Sequence, residues 1–574
     1  MSNTGTLVPR IYANFRGVDF RGEEINLVRS PDSLNVWKDY KETESIRTRP
    51  GMELIIPTGK LHNFIVYGDH IILHYGTTLQ RVQSYFPYKE SHTLFEGMAD
   101  NDSTFFVHED KIYILDGKNF LRCDGMTVVS VFDIDPTDGG AYVPTTFTEM
   151  TPSGSGKPFQ DVNMLQRRRI VSYRADGNAK DFYLPTKKID IDFEPIVRSL
   201  DGQDLSDYTV DYDLGKITFA NVPSAPIDTD GTDGADNIEI EYAKTIPEYT
   251  KAILNCTIVE EFDNRFFFSG NKDYPNILWH CNINDPLYIS DTDTYEDGKD
   301  TAQIKGMVAG NNNLWVFREP SYSNTAVFYH TPTIDEEHGK VYPSTHSSIA
   351  TGCVGRAINF NDDIVFFSDR GMEGITGDIT TEQVLDHRST LVDRKMIAEP
   401  DYKNMLLAEW EGYLLVFIGN KVYLADSRAV FTNEDHIEYE WFYWELEKEI
   451  NFARVYNGAL YLGTDDGIYT MTDNNCAIES YWVTPKDKFK YPNMQKTTNK
   501  RGCVAEAKGD ITVYAKVEST GFELIGEYKD VKDYFVSRIK RKKFKDIQLK
   551  FYSQTRFSLE TVTLEAWVGG YIKR

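Results

Sequence analysis

Polar turns and short runs of aromatic or β-branched residues alternate along most of this chain. Seven segments share one design: a polar turn, a strand, often a second Gly/Asn/Asp turn, and a further strand. They are YGDHIILHYGTTLQRV from Tyr67, HEDKIYILDGKNFLRCDG from His108, EFDNRFFFSGNKDYPNILWH from Glu261, AGNNNLWVFRE from Ala309, FNDDIVFFSDRGMEGITG from Phe360, WEGYLLVFIGNKVYLAD from Trp410 and YNGALYLGTDDGIYTMTD from Tyr456. The strand after each turn is expected to begin at Ile71, Ile112, Phe266, Leu314, Ile364, Leu414 and Leu460, at intervals of 41, 154, 48, 50, 50 and 46 residues. A four-stranded propeller blade takes roughly 40–50 residues, and one hairpin cannot bury its apolar face alone. The turns Asn457-Gly458, Asp466-Gly467, Asp116-Gly117 and Gly419-Asn420 suit the positive φ of tight hairpins. The period predicts an all-β chain centred on a β-propeller of six to eight blades; a tandem of β-sandwiches, which also uses short strands and frequent turns, is the alternative.

Five segments follow from this reading. Residues 1–50 form an extended N-terminal arm, 51–123 the first blades, 124–250 an inserted β-sandwich-like domain, 251–475 the remaining blades and 476–574 a C-terminal β domain. In the insertion, period-two alternation at Tyr208, Val210 and Tyr212, at Ile217 and Phe219, and at Ile238 and Ile240 predicts a meander, within a small β domain over 145–248. The C-terminal strands are read as a separate module, with completion of the ring as the other possibility. Ser30-Pro31-Asp32 resembles a helix start, followed by one or two turns at most.

Composition narrows the function classes. The 574 residues carry 62 Lys plus Arg against 88 Asp plus Glu, a formal charge of −26, which argues against a general nucleic-acid binder without excluding a local basic patch. Six dispersed cysteines without a CxxC pair indicate neither a disulfide framework nor a zinc knuckle. No apolar leader and no run of 18 apolar residues are found, so the expectation is a chain folded in a cytoplasm.

Candidate chemistry is sparse. His70 and His74 have a spacing that suits a metal on a helix, but in a strand they stand about 13 Å apart. His62, His280 and His387 have no clustered partner in sequence. The Asp228–Asp236 stretch places hard oxygens in a Gly-rich loop as a Ca²⁺ site would, without EF-hand register. Thr464-Asp465-Asp466-Gly467-Ile468-Tyr469 approaches the turn of propeller sialidases but lacks its Ser and Trp. No nucleophile-elbow, Walker or dinucleotide motif is present, and Gly76 and Gly355 sit among strands. No catalytic residue, metal ligand or cofactor is assigned. Arg538, Lys540, Arg541, Lys542, Lys543 and Lys545 form a basic run. It reads as a solvated strand edge, as a docking surface for an acidic partner or neighbouring subunit, or as a DNA contact.

The stretch FFFSGNKDYPNILWHCNINDPLYIS resembles a segment of tailed-bacteriophage virion proteins of the neck and tail (the stabilisation and tail-nozzle-like family). There a strand is followed by an S-G-N-x-x-Y-P-N turn and then N-D-P-x-Y. The matching residues are Ser269, Gly270, Asn271, Tyr274, Pro275, Asn276, Asn284, Asp285, Pro286 and Tyr288. Phe15–Asp19, Arg29–Val36 and Arg47–Gly51 look like the family's opening, and CVGRAINFNDDIVFFSDRGMEGITG like another of its segments. The resemblance implies a non-enzymatic structural subunit of a virion, made in the host bacterial cytoplasm. It would stand in a homo-oligomeric nozzle or ring around the DNA exit channel and contact portal, connector or other tail proteins. An acid-lined lumen would let DNA slide past without being held. A receptor- or glycan-binding tail component and a propeller glycosidase or depolymerase are the other function classes.

Overall fold

The computed structural model describes residues 5–40, 45–84, 88, 90–199, 202–226, 234–321, 325–336, 339–376, 384–433, 436–474, 477–540 and 543–571. The protein is all-β, with short helices at Pro247–Leu254 and Asp393–Met396. Among the described residues, seven four-stranded antiparallel units recur. The first runs Leu61–Tyr67, His70–Tyr75, Thr78–Gln83 and Ser91–Glu96, and the second Thr104–His108, Lys111–Leu115, Phe120–Cys123 and Val128–Ser130. The third, fourth and fifth begin at Ile258, Ile304 and Ala357, and the sixth spans Leu406–Trp410, Tyr413–Ile418, Lys421–Asn433 and His436–Glu445. The seventh holds Phe452–Tyr456, Ala459–Gly463 and Gly467–Thr472, and takes its fourth strand from the other end of the chain: Gly51–Pro57, in antiparallel register from Met471↔Met52 to Gly467↔Pro57.

The repeated polar turns join the first strand of each unit to the second. Each is two residues long, and in five of them both residues have positive φ: Asp263-Asn264, Asn311-Asn312, Asn361-Asp362, Glu411-Gly412 and Asn457-Gly458. That is the type I′ geometry whose twist matches a hairpin. The strands expected after these turns, at Ile71, Ile112, Phe266, Leu314, Ile364, Leu414 and Leu460, are the second strands of their units. The preceding ones, such as Phe452–Tyr456, are less continuously apolar and left a weaker signal.

The second strands are apolar because both of their faces are covered. In Tyr413–Ile418, Leu414 and Val416 pack with Phe360, Val365 and Phe367 of the fifth unit, whereas Leu415 and Phe417 pack with Leu460 and Leu462 of the seventh. Phe266 and Phe268 meet Phe106 and Tyr113 of the second unit, while Phe267 meets Leu314 and Val316 of the fourth. Trp315 and Phe317 join Ile364 and Phe366, Ile72 joins Ile112 and Ile114, and Ile71 and Leu73 join Ile468 and Ile56. Seven inter-unit cores thus lead from the first unit through the others and back to it. Each fully buried aliphatic or aromatic side chain contributes about 1.5–3 kcal/mol relative to exposure.

The inserted module consists of a six-stranded sheet, Lys157–Pro158, Thr145–Met150, Arg168–Tyr173, Ile238–Ala243, Ile196–Ser199 and Asp204–Leu205. A three-stranded sheet of Asp181–Tyr183, Lys216–Phe219 and Tyr208–Asp211 packs on it. Val171, Tyr173, Phe182, Ile217 and Ile240 form their shared core. Ile238–Ala243 lies in the larger sheet, so the expected meander is split between two sheets. Val128–Ser130 still belongs to the second unit, which moves the start of the insertion beyond 124.

Two segment expectations change. Residues 1–50 are woven in: Thr6–Tyr12 pairs with Phe557–Tyr571, and Val36–Lys38 and Ile46–Thr48 bridge the sixth unit to the C-terminal strands in one continuous fifteen-stranded sheet. Trp37 stacks on Trp410 at 5.4 Å and meets Trp444 edge-on at 5.6 Å. The C-terminal strands are accordingly continuous with the sixth unit. The expected helix near Ser30-Pro31-Asp32 is replaced by short strands at Arg29–Ser30 and Ser33–Leu34, because Ser33–Leu34 finds Tyr481 and Trp482 as ladder partners.

Candidate functional site

The S-G-N-x-x-Y-P-N and N-D-P-x-Y residues lie together where the inserted module meets the third unit. The third unit's second strand, Arg265–Ser269, ends in Gly270 at φ +79°, where a Cβ would fall 2.4 Å from Thr257 Oγ1. The chain turns there and brings Asn271 beneath the helix Pro247–Leu254, which arrives from the insertion. Asn271 is almost fully buried, and its Nδ2 donates to the carbonyls of Ala252 (2.8 Å) and Lys251 (3.4 Å), while its Oδ1 accepts from Asp273 N. The Lys251 carbonyl also accepts from Asn255 N and the Ala252 carbonyl from Cys256 Sγ, so Asn271 adds to the donors at the helix end. Tyr274 packs edge-on to Trp279, the Pro275 carbonyl accepts from Ile304 N, and Asn276 Nδ2 donates to the carbonyl of Gly298 and to Glu296.

The second half of the motif grips the module itself. Asn284, at φ +52°, donates its N–H to the Asn264 carbonyl, and its own carbonyl contacts His108 Nε2 in the second unit. Asp285 caps the turn by accepting from Leu287 N, and burial raises its carboxyl above the usual range. Pro286 leads into Leu287, whose carbonyl accepts from the fully buried Asn163 Nδ2 of the module; Asn163 Oδ1 in turn accepts from Ile289 N. Tyr288 lies against Tyr142 at 5.3 Å and donates to the Asp161 carbonyl. Burial foremost, then the neighbouring Asp161, pushes its hydroxyl up to about 12. The sequence pointed to the motif but not to Asn163, Asp161, Lys251 or Ala252, whose contact with it is made only by the fold.

A small polar cavity of about 210 Å³ opens beside this seat, lined among others by Asp161, Arg265, His280, Tyr288, Asp293 and Lys340. Burial lowers the His280 imidazole to about 4 and raises the Asp293 carboxyl to about 6. Near neutral pH the imidazole is uncharged and the Asp293 carboxyl is largely ionised. Arg265 is committed to Tyr342, Asn282 and the Cys281 carbonyl, and Lys340 to Asp263. Arg265 and Lys340 are thus spent on holding the unit together, whereas His280 Nε2 is buried without a hydrogen bond among the described residues, 3.8 Å from Asp293.

The remaining candidates lie elsewhere. Arg538 and Lys540 are exposed on either side of buried Ile539, and Lys543 and Lys545 on either side of buried Phe544; Arg541 and Lys542 lie outside the described residues. Lys543–Phe544 pairs with the long strand Met494–Val517, in the C-terminal part of the sequence. Asp228, Asp230 and Asp233 lie outside the described residues, and Asp236 accepts from Glu149 N. No group of three or more His, Cys, Asp or Glu that could hold a metal occurs among the described residues.

The histidines do have partners that sequence did not show. His62 packs on His74 at 4.8 Å and lies 2.8 Å from Asp100, and burial foremost lowers His74 to about 4. His387 is bonded to Asp393 (2.5 Å) and lies 3.2 Å from Glu373. Thr464 bonds to Asp466 across an ordinary hairpin turn.

No known family profile matches the chain, and no curated protein matches it. Among solved structures it is similar to Kluyveromyces lactis Hsv2, at 8% identity and a TM-score of 0.31, over 75% of this chain and 94% of that one. It is also similar to the β-propeller domain of Cps50 (Swd1) from Myceliophteria thermophila, at 10% identity and a TM-score of 0.24, over 48% and 72%. A third likeness is to PorZ, a surface component of the type-IX secretion system of Porphyromonas gingivalis, at 12% identity and a TM-score of 0.19, over 83% and 82%. At these TM-scores the likenesses carry neither fold nor function to this chain.

Proposed function

We propose that the seven four-stranded units are the blades of a β-propeller closed by Gly51–Pro57, and that the protein is a structural subunit of the neck or tail of a tailed bacteriophage. It stands in a homo-oligomeric ring around the DNA exit channel. Support for the propeller comes from the circuit of seven inter-unit cores and from the fourth strand of the last unit, supplied by the start of the chain. Support for a mechanical role comes from one observation above all: the phage-like motif is consumed in joining a blade to its inserted module. Tyr288 bonds to the module's Asp161 carbonyl and Asn271 to the helix that leads from the module. Asn284 bonds within the third unit and to the second, and Asp285 caps its own turn, so the motif is spent on structure rather than on presenting a reactive group. A part under load needs such joints, with polar groups satisfied inside.

The reading is tested by locating the chain in the particle. Cryo-electron microscopy of virions carrying an epitope on this protein is expected to show the label in a ring coaxial with the portal. A label on distal spikes would favour a receptor binder instead, and its absence from particles would overturn the virion role.

A further inference from the structure

A second cavity, of about 450 Å³, lies between the inserted module and the helix Pro247–Leu254, and its charge is not balanced. Three consecutive arginines line it. Arg167 pairs with Asp192 (2.7 Å) and Asp190 (3.4 Å), and Arg168 pairs with Glu241, which also serves Arg198. Arg169 differs. It is only 7% exposed, its Nη2 reaches the Lys244 carbonyl at a long 3.3 Å, Tyr242 is its other polar neighbour, and its Nε is buried without a partner. Lys244, which also lines the cavity, donates to the Lys188 carbonyl. Among the described residues, neither Arg169 nor Lys244 pairs with a carboxylate. The two acids of the lining, Asp133 and Asp135, are exposed, and Asp135 is engaged by Thr137.

A buried guanidinium without a counter-charge is costly, and proteins as a rule pair it. Arg169 and Lys244 line a space large enough for a small molecule, which Ile134, Leu165 and Phe193 also line. We propose that this cavity binds a small organic oxyanion, a carboxylate or phosphate monoester on an apolar or aromatic body. Arg169 and Lys244 take the anionic head, and the apolar wall takes the body. Arginine suits this role because its planar fork offers two parallel donors to one oxyanion. The proposal does not depend on the virion reading, since the site lies wholly within one chain.

The test uses the full-length protein and three fluorinated probes followed by ¹⁹F NMR: 4-fluorophenyl phosphate, 4-fluorobenzoate and the neutral 4-fluorophenol. Saturable binding of at least one anionic probe at one site per chain is expected. It should weaken as salt rises and fall at least tenfold in Arg169→Met. That variant removes an unpaired buried charge and is expected to fold. If it does not, Lys244→Gln, at a half-buried position, provides the same reading with a smaller loss. Tight binding of 4-fluorophenol, unchanged affinity in folded Arg169→Met or in Lys244→Gln, or no saturable binding of either anion would overturn the proposal.

Discussion

Asn271 carries much of the seat on one side chain, because its amide is a donor for two helix carbonyls and its oxygen takes a turn N–H. Asn271→Ala leaves the Ala252 carbonyl with only the weak Cys256 Sγ donor and the Lys251 carbonyl with Asn255 N, so urea denaturation should show a loss of roughly 0.5–1.5 kcal/mol. Asn271→Asp should be no better, since a carboxylate cannot donate to them. Limited proteolysis should find faster cleavage near residues 251–256 in both variants. The motif letters were legible in the sequence; the carbonyls they serve, about twenty residues upstream, were not, because nothing local marks a helix end as needing that donor. His387 gives the clearest pH signature. Burial would pull its imidazole down, but the bonds to Asp393 and Glu373 outweigh that and raise it to about 10. Its contribution is complete below the ordinary histidine value near 6.5 and is lost as pH climbs to about 10, where the folded imidazole also gives up its proton. Wild type should lose roughly 2–4 kcal/mol across that window relative to His387→Gln, measured by chemical denaturation at each pH.

At the scale of the element, the two-residue turns set register, and their chemistry was the most legible part of the sequence. Asn and Gly at positive φ are cheap, and the hairpin follows. What the pattern left out was the strand before each turn, because a strand covered on both faces, such as Tyr413–Ile418, stands out more than its half-covered neighbour Leu406–Trp410. The Asn457-Gly458 turn isolates the backbone term. Gly458 sits at φ +76°, and a Cβ there meets nothing within 4 Å. Gly458→Val should therefore cost about 1–2 kcal/mol through conformation alone, and Gly458→Asn distinctly less. Equal losses in the two variants, measured by thermal or urea unfolding, would mean that packing rather than φ governs the turn. The short N-terminal strand Ser33–Leu34 was not legible, since its ladder partners Trp482 and Tyr481 lie hundreds of residues away and two residues carry no period.

For the whole molecule, what matters is how the two ends of the chain are held. Seven stacked units would have two exposed faces unless the last met the first; Gly51–Pro57, which precedes the first unit in sequence, pairs with Gly467–Thr472 of the seventh. In the proposed propeller, strand pairing supplied from far along the sequence would convert a row of units into a circuit, so that opening any one interface would strain the rest. This predicts strong coupling between positions 52 and 471, which stand opposite each other in that ladder. Met52→Cys combined with Met471→Cys should form a disulfide under mild oxidation, seen as a mobility shift on a non-reducing gel. The enclosed loop is very long, so chain-entropy arguments put the gain at up to about 5 kcal/mol, with engineered bridges usually delivering less. The double variant should therefore unfold at higher temperature when oxidised than when reduced, whereas either single variant should show no such difference. Five of the native cysteines are buried and unpaired, so they should not compete for the oxidant. If the pair fails to cross-link in the folded protein, Gly51–Pro57 does not close the last unit, and the mechanical reading of the ring loses its foundation.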